Sequence, residues 1–177
     1  MRVEAPIKVD RKTKKLAKRL SAGEIAVINH IDIDEVAANS LVERKIKLVI
    51  NAAPSISGRY PNKGPKILID NNILIIDNVG ENVFEELKEG QVIEVNNGQI
   101  YRDGQFIGSG EVMDKSVVEK RTQIAYENMS VELDRFIDNT IEYAKREKGF
   151  ILGETEIPKM TTNYKDRHVL VVVRGQD

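Results

Sequence analysis

The stretch GEIAVINHIDIDEVAANSLVERKIKLVINA, residues 23–52, decides the fold of this chain. Two apolar runs within it, EIAVIN at 24–29 and KIKLVINA at 45–52, have the length and the branched side chains of buried strands. Between them, Asp32 or Asp34 can cap a helix that extends to residue 44. A strand, a helix and a strand in this order predict a parallel crossover, and therefore an α/β fold.

The residues that follow extend this sheet and then change its direction. ILIID, residues 73–77, predicts a third strand, and residues 80–88 predict a short amphipathic helix. The pairs Asn97-Gly98 and Asp103-Gly104 are typical of tight hairpin turns, so residues 91–111 are predicted to form a β-meander. The predicted fold class is α/β, with a parallel sheet, a β-meander and a long helix after them.

The long helix is predicted over residues 115–148, which contain no Gly or Pro. A helix of this extent would be roughly 50 Å long, more than a small domain can cover. Apolar residues recur along it at steps of three or four, including Met129, Leu133, Phe136 and Ile137. We therefore expect this face to meet a second copy of the chain, as a homodimer, or another domain.

Composition excludes several classes of protein. The chain has 177 residues, of which 41% are hydrophobic and 31% charged, and it has no cysteine. The absence of cysteine excludes disulfides, a thiolate metal site and a cysteine nucleophile, and it fits a cytoplasmic location. No apolar run in the sequence approaches the roughly 20 residues that cross a bilayer.

The first 20 residues carry eight Lys or Arg. This basic segment is predicted to be a solvated helix whose apolar seam is Leu16 and Leu20, or a surface that binds anionic lipid or nucleic acid. Because the segment contains no aromatic side chain for base stacking, the sequence disfavours nucleic acid as a partner.

The best candidate site is the loop after the second strand, residues 51–65, which is rich in Pro, Gly and Ser. Arg59 offers a fixed guanidinium fork for phosphate or carboxylate, and Gly58 allows the backbone to approach an anion. The alternative is a rigid loop whose Arg59 pairs with an acidic neighbour. No catalytic or metal-binding residue is predicted; the predicted ligand-binding residues are Asn51, Ser55, Ser57, Gly58, Arg59, Tyr60 and His30.

His30 ends the first predicted strand and is followed by Asp32 and Asp34. A histidine beside carboxylates can hold a metal or move protons, and the alternative is a helix-start cluster with an exposed histidine. At the carboxyl end of a strand, His30 is placed where open α/β sheets bind ligands. We expect His30 and Asn51 to form the floor of a pocket for a small anionic ligand.

Residues 23–107 resemble the swivelling β/β/α domain of phosphoenolpyruvate-utilising enzymes, through GEIAV, the Ser-rich loop, ILIID and LKEGQVIEVNNGQIY. In that domain a histidine in the loop after the second strand carries phosphate. The matching loop here reads SISGRYP and has no histidine, which argues against phosphotransfer and leaves anion binding open.

The runs VDRKTKKLAKRL, NAAPSISGRYPNKGP and RHVLVVVRGQD resemble the SteA family of bacterial cell-division proteins of the cytokinetic ring. The resemblance implies that a domain similar to thiamine pyrophosphokinase and then a membrane anchor follow residue 177. ATP and Mg²⁺ would bind in that further domain rather than here. The implied partner is another cell-division protein, and the implied location is the cytoplasm, with membrane association at the division site.

Together these features predict four segments: a basic segment at 1–22, a swivelling-type α/β domain at 23–112, the long helix at 113–150, and a linker with the first strand of a truncated kinase-like domain at 151–177. The predicted function is a non-catalytic module that binds an anion or a protein through the SISGRY loop, residues 55–60. The alternative is an accessory domain of a thiamine diphosphokinase, which transfers diphosphate from ATP to thiamine.

Overall fold

The computed structural model describes residues 2–154, 165, 166 and 168, and the chain divides into two compact units, Met1–Arg135 and Phe136–Asp177. The strands are β1 Arg2–Val9, β2 Ile25–Ile28, β3 Leu48–Asn51, β4 Leu74–Asp77, β5 Val92–Asn96, β6 Gln99–Arg102, β7 Gln105–Ser109 and β8 Glu111–Met113. The helices are α1 Thr13–Ala17, α2 Glu35–Val42, α3 Gly64–Asp70, α4 Glu81–Glu86, α5 Lys115–Arg146 and α6 Lys148–Ile151.

All eight strands belong to one mixed sheet, in the order β7-β6-β5-β1-β2-β3-β4-β8. The neighbours from β1 to β4 run parallel, so the three strands predicted at 24–29, 45–52 and 73–77 do form a parallel set. Strands β5, β6 and β7 are antiparallel hairpin partners, as the Asn-Gly and Asp-Gly turns predict. The predicted α/β class, with parallel strands, a meander and a long helix, is confirmed.

The N-terminal segment corrects the prediction for residues 1–22. Residues 2–9 form β1 near the middle of the sheet: residues 2–6 pair antiparallel with β5, and residues 7–9 pair parallel with β2. Ala5 and Ile7 are buried, and Pro6 lies where the pairing changes sides. The basic residues that follow begin α1, and its predicted apolar seam, Leu16 and Leu20, is confirmed as buried.

The end of the meander is the second difference from the prediction for residues 91–111. Residues 111–113 leave the meander as β8 and pair with β4, at the opposite end of the strand order from β7. Only Gly110 separates β7 from β8. Because one residue spans less than 4 Å, the sheet must curl until its two ends lie close together. The amide of Gly110 donates to the carbonyl of Gly98, in the turn between β5 and β6, at 2.9 Å.

Two apolar cores lie on opposite faces of the curled sheet. Alternate strand residues such as Ala26 and Val49 pack with α1, α2, α3 and the start of α5. Their sequence neighbours Val27 and Ile50 face the other way, onto α4 and the meander. Side chains on a strand alternate in this way, so continuous apolar runs such as IAVI can be buried on both faces.

Helix α5 runs from Lys115 to Arg146 and buries only Val118 and Ala125. The predicted face, Met129, Leu133, Phe136 and Ile137, is 41–63% exposed in this single chain. The unit that starts at Phe136 contains the last turns of α5 and then α6, with Arg146 stacked 4.5 Å from the ring centre of Tyr143. The strand predicted within 168–174, apart from residue 168, lies outside the described residues.

Candidate ligand-binding site

The site begins at Asn51, the last residue of β3, which is fully buried. Its side-chain oxygen accepts from the amide of His30 at 2.9 Å, and its side-chain nitrogen donates to the His30 carbonyl at 2.8 Å. The same nitrogen donates to Ser55 Oγ at 2.8 Å. Asn51 therefore joins the carboxyl ends of β2 and β3, and it does not form the open pocket floor that the sequence predicted.

Ser55 is also fully buried, and it binds the carboxylate of Asp77 at the end of β4. The Ser55 amide donates to Asp77 Oδ1 at 2.8 Å, and its hydroxyl donates to the same oxygen at 2.6 Å. Arg121 on α5 donates to Asp77 Oδ2 at 2.9 Å and also pairs with Glu111. This chain of contacts, the Asp77 network, holds the start of the loop against the sheet and the first turns of α5.

Burial raises the pKa of Asp77, because a carboxylate loses hydration inside the protein. The two hydrogen bonds from Ser55 and the guanidinium of Arg121 oppose that rise. Ser55 Oγ and Asp77 have the spacing of a hydroxyl and a base, but both are fully buried. The pair therefore supports the loop rather than meeting a ligand, which corrects the predicted role of Ser55.

The second part of the loop turns outward. The amide and hydroxyl of Ser57 donate to the Asp32 carboxylate at 2.6 and 2.8 Å, and Asn128 of α5 donates to the Gly58 carbonyl at 3.0 Å. Asn62 donates to the carbonyls of Ile33 and Ser55, at 2.9 and 2.8 Å. These bonds fix the backbone of the SISGRY loop on both sides.

The loop also depends on close backbone approach at Gly64, the first residue of α3. A Cβ atom at this position would lie 2.0 Å from the carbonyl oxygen of Ile33. Only glycine fits such a contact without moving the backbone. The loop after β2 and the loop after β3 are therefore locked together at both ends.

Arg59 lies in a cleft of about 270 Å³, the Arg59 cleft, which it shares with Ser57, Gly58 and, from α5, Asn128 and Arg135. Its side chain is exposed and has no partner among the residues that the structure describes. Arg135 pairs with Glu132, which also lines the cleft, at 2.8 Å. Among the residues that line the cleft there are thus two guanidinium groups and one carboxylate. Tyr60 is 52% exposed and does not line the cleft.

His30 does not line the Arg59 cleft. It lies in a second cleft of about 740 Å³ between α1 and α2, called here the Lys12 cleft, which is also lined by Lys12, Lys14 and Val36. Its Nδ1 lies 2.9 Å from the hydroxyl of Thr13. The structure thus brings Ser57, Gly58 and Arg59 together, buries Asn51 and Ser55 beneath them, and places His30 in a different cleft. Among residues 2–154, 165, 166 and 168, no group of three or more His, Asp or Glu side chains could hold a metal ion.

Sequence reasoning missed Asp77, Arg121, Asn62 and Thr13. Asp77 could have been found, because it ends the third predicted strand and so shares an edge with Asn51. Asn62 belongs to the loop that was singled out. Arg121 and Thr13 carry no local signal, because their roles depend on where α5 and α1 pack.

The fold is that of an α/β protein, and the Arg59 and Lys12 clefts both open among the loops that follow its parallel strands. No protein-family model matches the chain. No curated protein matches it either. Among solved structures, it is similar to 3-isopropylmalate dehydratase (leuD) from Methanocaldococcus jannaschii, with 12% identity and a TM-score of 0.40 over 76% of this chain and 99% of that one. A likeness at this level carries no argument about activity.

None of the helices in the described part of the chain combines the length and the apolar character that crossing a bilayer requires.

Proposed function

We propose that this chain is a non-catalytic binding module of a bacterial cell-division protein of the SteA type, and that Arg59 binds an anionic ligand on its surface. The sequence resemblance supports the cell-division role. It also supports a cytoplasmic protein that, at full length, is held at the membrane of the division site and meets another cell-division protein there.

The observation that carries the binding role is the state of Arg59. Its guanidinium is exposed and has no partner in the described part of the chain, whereas Arg121 and Arg135 are both paired with carboxylates. The backbone that presents it is already fixed by Asp32 and Asn128. A fixed loop loses little conformational entropy when a ligand binds, so more of the interaction energy appears as affinity.

The ligand that fits is a small anion, because the Arg59 cleft holds only about 270 Å³. The Arg59 guanidinium can make two parallel bonds to a phosphate or carboxylate. The Ser57 hydroxyl is engaged with Asp32, so it fixes the loop rather than serving as a free donor. Within the SISGRY loop, the charge of Arg59 therefore carries recognition.

The test is isothermal calorimetry of the wild-type chain and Arg59→Ala against inorganic phosphate, nucleotides and thiamine diphosphate. Because a charge-assisted bond contributes roughly 1.5–3 kcal/mol, Arg59→Ala should weaken binding about ten- to hundredfold. Arg59→Lys should fall between them, because lysine keeps the charge and loses the fork.

Arg44→Ala is the matched control, because Arg44 is also exposed and has no side-chain partner in the described residues. It should leave affinity unchanged. The proposal fails if none of these anions binds the wild type, or if Arg44→Ala weakens binding as much as Arg59→Ala does.

We also propose that α5 forms a homodimer through Met129, Leu133, Phe136 and Ile137, whose exposure in one chain supports a face that needs a partner. Light scattering at tens of micromolar should give a dimer, and Leu133→Glu should convert it to a monomer. Val131→Glu is the control for the oligomeric state, because Val131 is also exposed but lies on another side of the same helix, where it lines the Arg59 cleft. A monomeric wild type would contradict this part.

A further inference from the structure

The Lys12 cleft lies at the carboxyl ends of two neighbouring parallel strands, β1 and β2. Its lining comes from the residues that follow each strand and from the first turns of α2. In α/β sheets this edge is where ligands bind, since the loops there can vary without disturbing the sheet. The volume of about 740 Å³ falls within the range of small-molecule sites.

Of the basic side chains that line this cleft, one is paired with carboxylates and two are not. Arg11 is engaged by Glu81 and Glu85 and stacks on the ring of Phe84. Lys12 and Lys14 are exposed, and neither ammonium group has a partner among the described residues.

The carboxylate that lines the cleft is also engaged. Asp34 caps α2, and its Oδ1 accepts the amide of Ala37 at 2.7 Å. Two lysines without partners in the described residues therefore line a cleft in which the carboxylate of Asp34 already accepts a backbone hydrogen bond.

His30 adds a held polar group. Its backbone amide and carbonyl are both bonded to the buried Asn51, and its Nδ1 lies 2.9 Å from Oγ1 of Thr13, a residue that is 4% exposed. Its Nε2 has no partner in the described part of the chain. When the Thr13 hydroxyl donates to Nδ1, the neutral ring carries its proton on Nε2 and can donate to a ligand.

Two exposed apolar residues also line the cleft. Ile31 is 62% exposed and Val36 is 76% exposed, and both line the cleft. Single exposed aliphatic residues are common, but here two of them lie beside two unpaired lysines in one concave site. A ligand that covers them must carry an apolar body as well as a negative charge.

We propose that the Lys12 cleft binds a small amphiphilic organic anion. Its phosphate or carboxylate lies against Lys12, Lys14 and His30, and its apolar part covers Ile31 and Val36. This site is separate from the Arg59 cleft, shares no lining residue with it, and does not depend on the function proposed above.

Calorimetry with hexyl phosphate, inorganic phosphate and 1-hexanol tests the proposal. The full chain carries Arg59→Ala throughout, so that the Arg59 cleft does not contribute to the binding that is measured. Hexyl phosphate should bind with a Kd below about 1 mM, and each of the other two should bind at least about tenfold more weakly. The double variant K12Q/K14Q should weaken hexyl phosphate by at least about tenfold, because both cations are removed. Val36→Ser should weaken it about fivefold through lost apolar contact.

Lys18→Gln is the matched control, since Lys18 lies at the end of α1 and does not line the cleft. It should leave affinity unchanged. Urea unfolding should show that K12Q/K14Q folds as stably as the wild type, because both lysines are exposed.

Three results would overturn the proposal: no binding of hexyl phosphate, equal binding of inorganic phosphate, or equal loss in Lys18→Gln. A separate sedimentation assay uses vesicles of phosphatidylcholine and phosphatidylglycerol. Binding to vesicles that needs Lys12 and Lys14, with no binding of free hexyl phosphate, would make the cleft a membrane contact and reject the small-molecule site.

Discussion

Residues 51–55, at the end of β3 and the start of the loop after it, and residues 57–59, in the outer part of that loop, both carry polar side chains but differ in what surrounds them. Asn51 and Ser55 are fully buried and bonded to neighbouring strand ends, whereas Ser57 and Arg59 are exposed. Both serines donate to an aspartate, yet Asp77 is buried at a strand end and Asp32 lies in a surface turn. The partner, rather than the residue type, decides which part supports the fold and which part can meet a ligand.

This comparison predicts that the Asp77 network is the most costly part of the loop to break. Asp77→Ala leaves the Ser55 amide and hydroxyl without their acceptor and removes one partner of Arg121. Removing one partner of a buried ion pair usually costs 3–5 kcal/mol, so the free energy of unfolding should fall by about 3 kcal/mol. Urea unfolding followed by circular dichroism measures the change.

Asp70→Ala is the control for that experiment, because Asp70 forms an exposed pair with Lys66 on α3. It should change stability little, since exposed ion pairs contribute little. If Asp77→Ala were as mild as Asp70→Ala, the buried network would not be what holds the loop.

Asn51→Ala should have the next largest effect on stability. It leaves the amide and carbonyl of His30 without partners at the end of β2. Unsatisfied buried groups of this kind cost about 1–3 kcal/mol, so we expect a loss of about 2 kcal/mol in the same assay. Asn39→Ala, at an exposed position in the middle of α2, should show no loss. An Asn51→Ala variant as stable as the wild type would mean that water replaces the side chain.

The charge of Asp77 gives a smaller, pH-dependent effect. Its pKa in the folded chain is raised above the ordinary value of 3.8, chiefly by burial. Between 3.8 and the folded pKa, the folded state holds more protons than the unfolded state. The free energy of unfolding therefore falls as pH rises through that interval.

Asp77→Asn cannot titrate, so the stability of the wild type minus that of Asp77→Asn should decrease as pH rises from about 4 and then level off. Urea unfolding at constant ionic strength from about pH 4 to about pH 7 measures this difference. A difference that grows with pH would show that Arg121 outweighs burial and lowers the pKa instead.

The sequence predicted those parts of the fold that depend on local pattern. The apolar runs at 24–29, 45–52 and 73–77 predicted parallel strands, because strands buried on both faces contain few polar residues. Strand β1 was missed because RVEAPIKV carries charges at alternate positions and a proline. The alternation of Val3, Ala5 and Ile7 was the available signal. The path of β8 could not be predicted, because it depends on how far the sheet curls.

The candidate site, like the fold, was predicted only in part. Composition identified the loop at 51–65 and its one arginine, Arg59, and left open whether that guanidinium pairs with an acidic neighbour. It could not separate Ser55 from Ser57, because only tertiary structure brings Asp77 to one and Asp32 to the other. It also grouped His30 with the loop, although helix α1 places that ring in a different cleft.

We propose that the outer part of the loop presents Arg59 to an anion without contributing to the fold. The most direct measurement is to determine the free energy of unfolding and the affinity for the best-bound anion on one preparation of Arg59→Ala. We expect the free energy of unfolding to stay within about 0.5 kcal/mol of the wild-type value and the affinity to fall about ten- to hundredfold. A variant that loses stability as Asp77→Ala does, or that binds as tightly as the wild type, would contradict it.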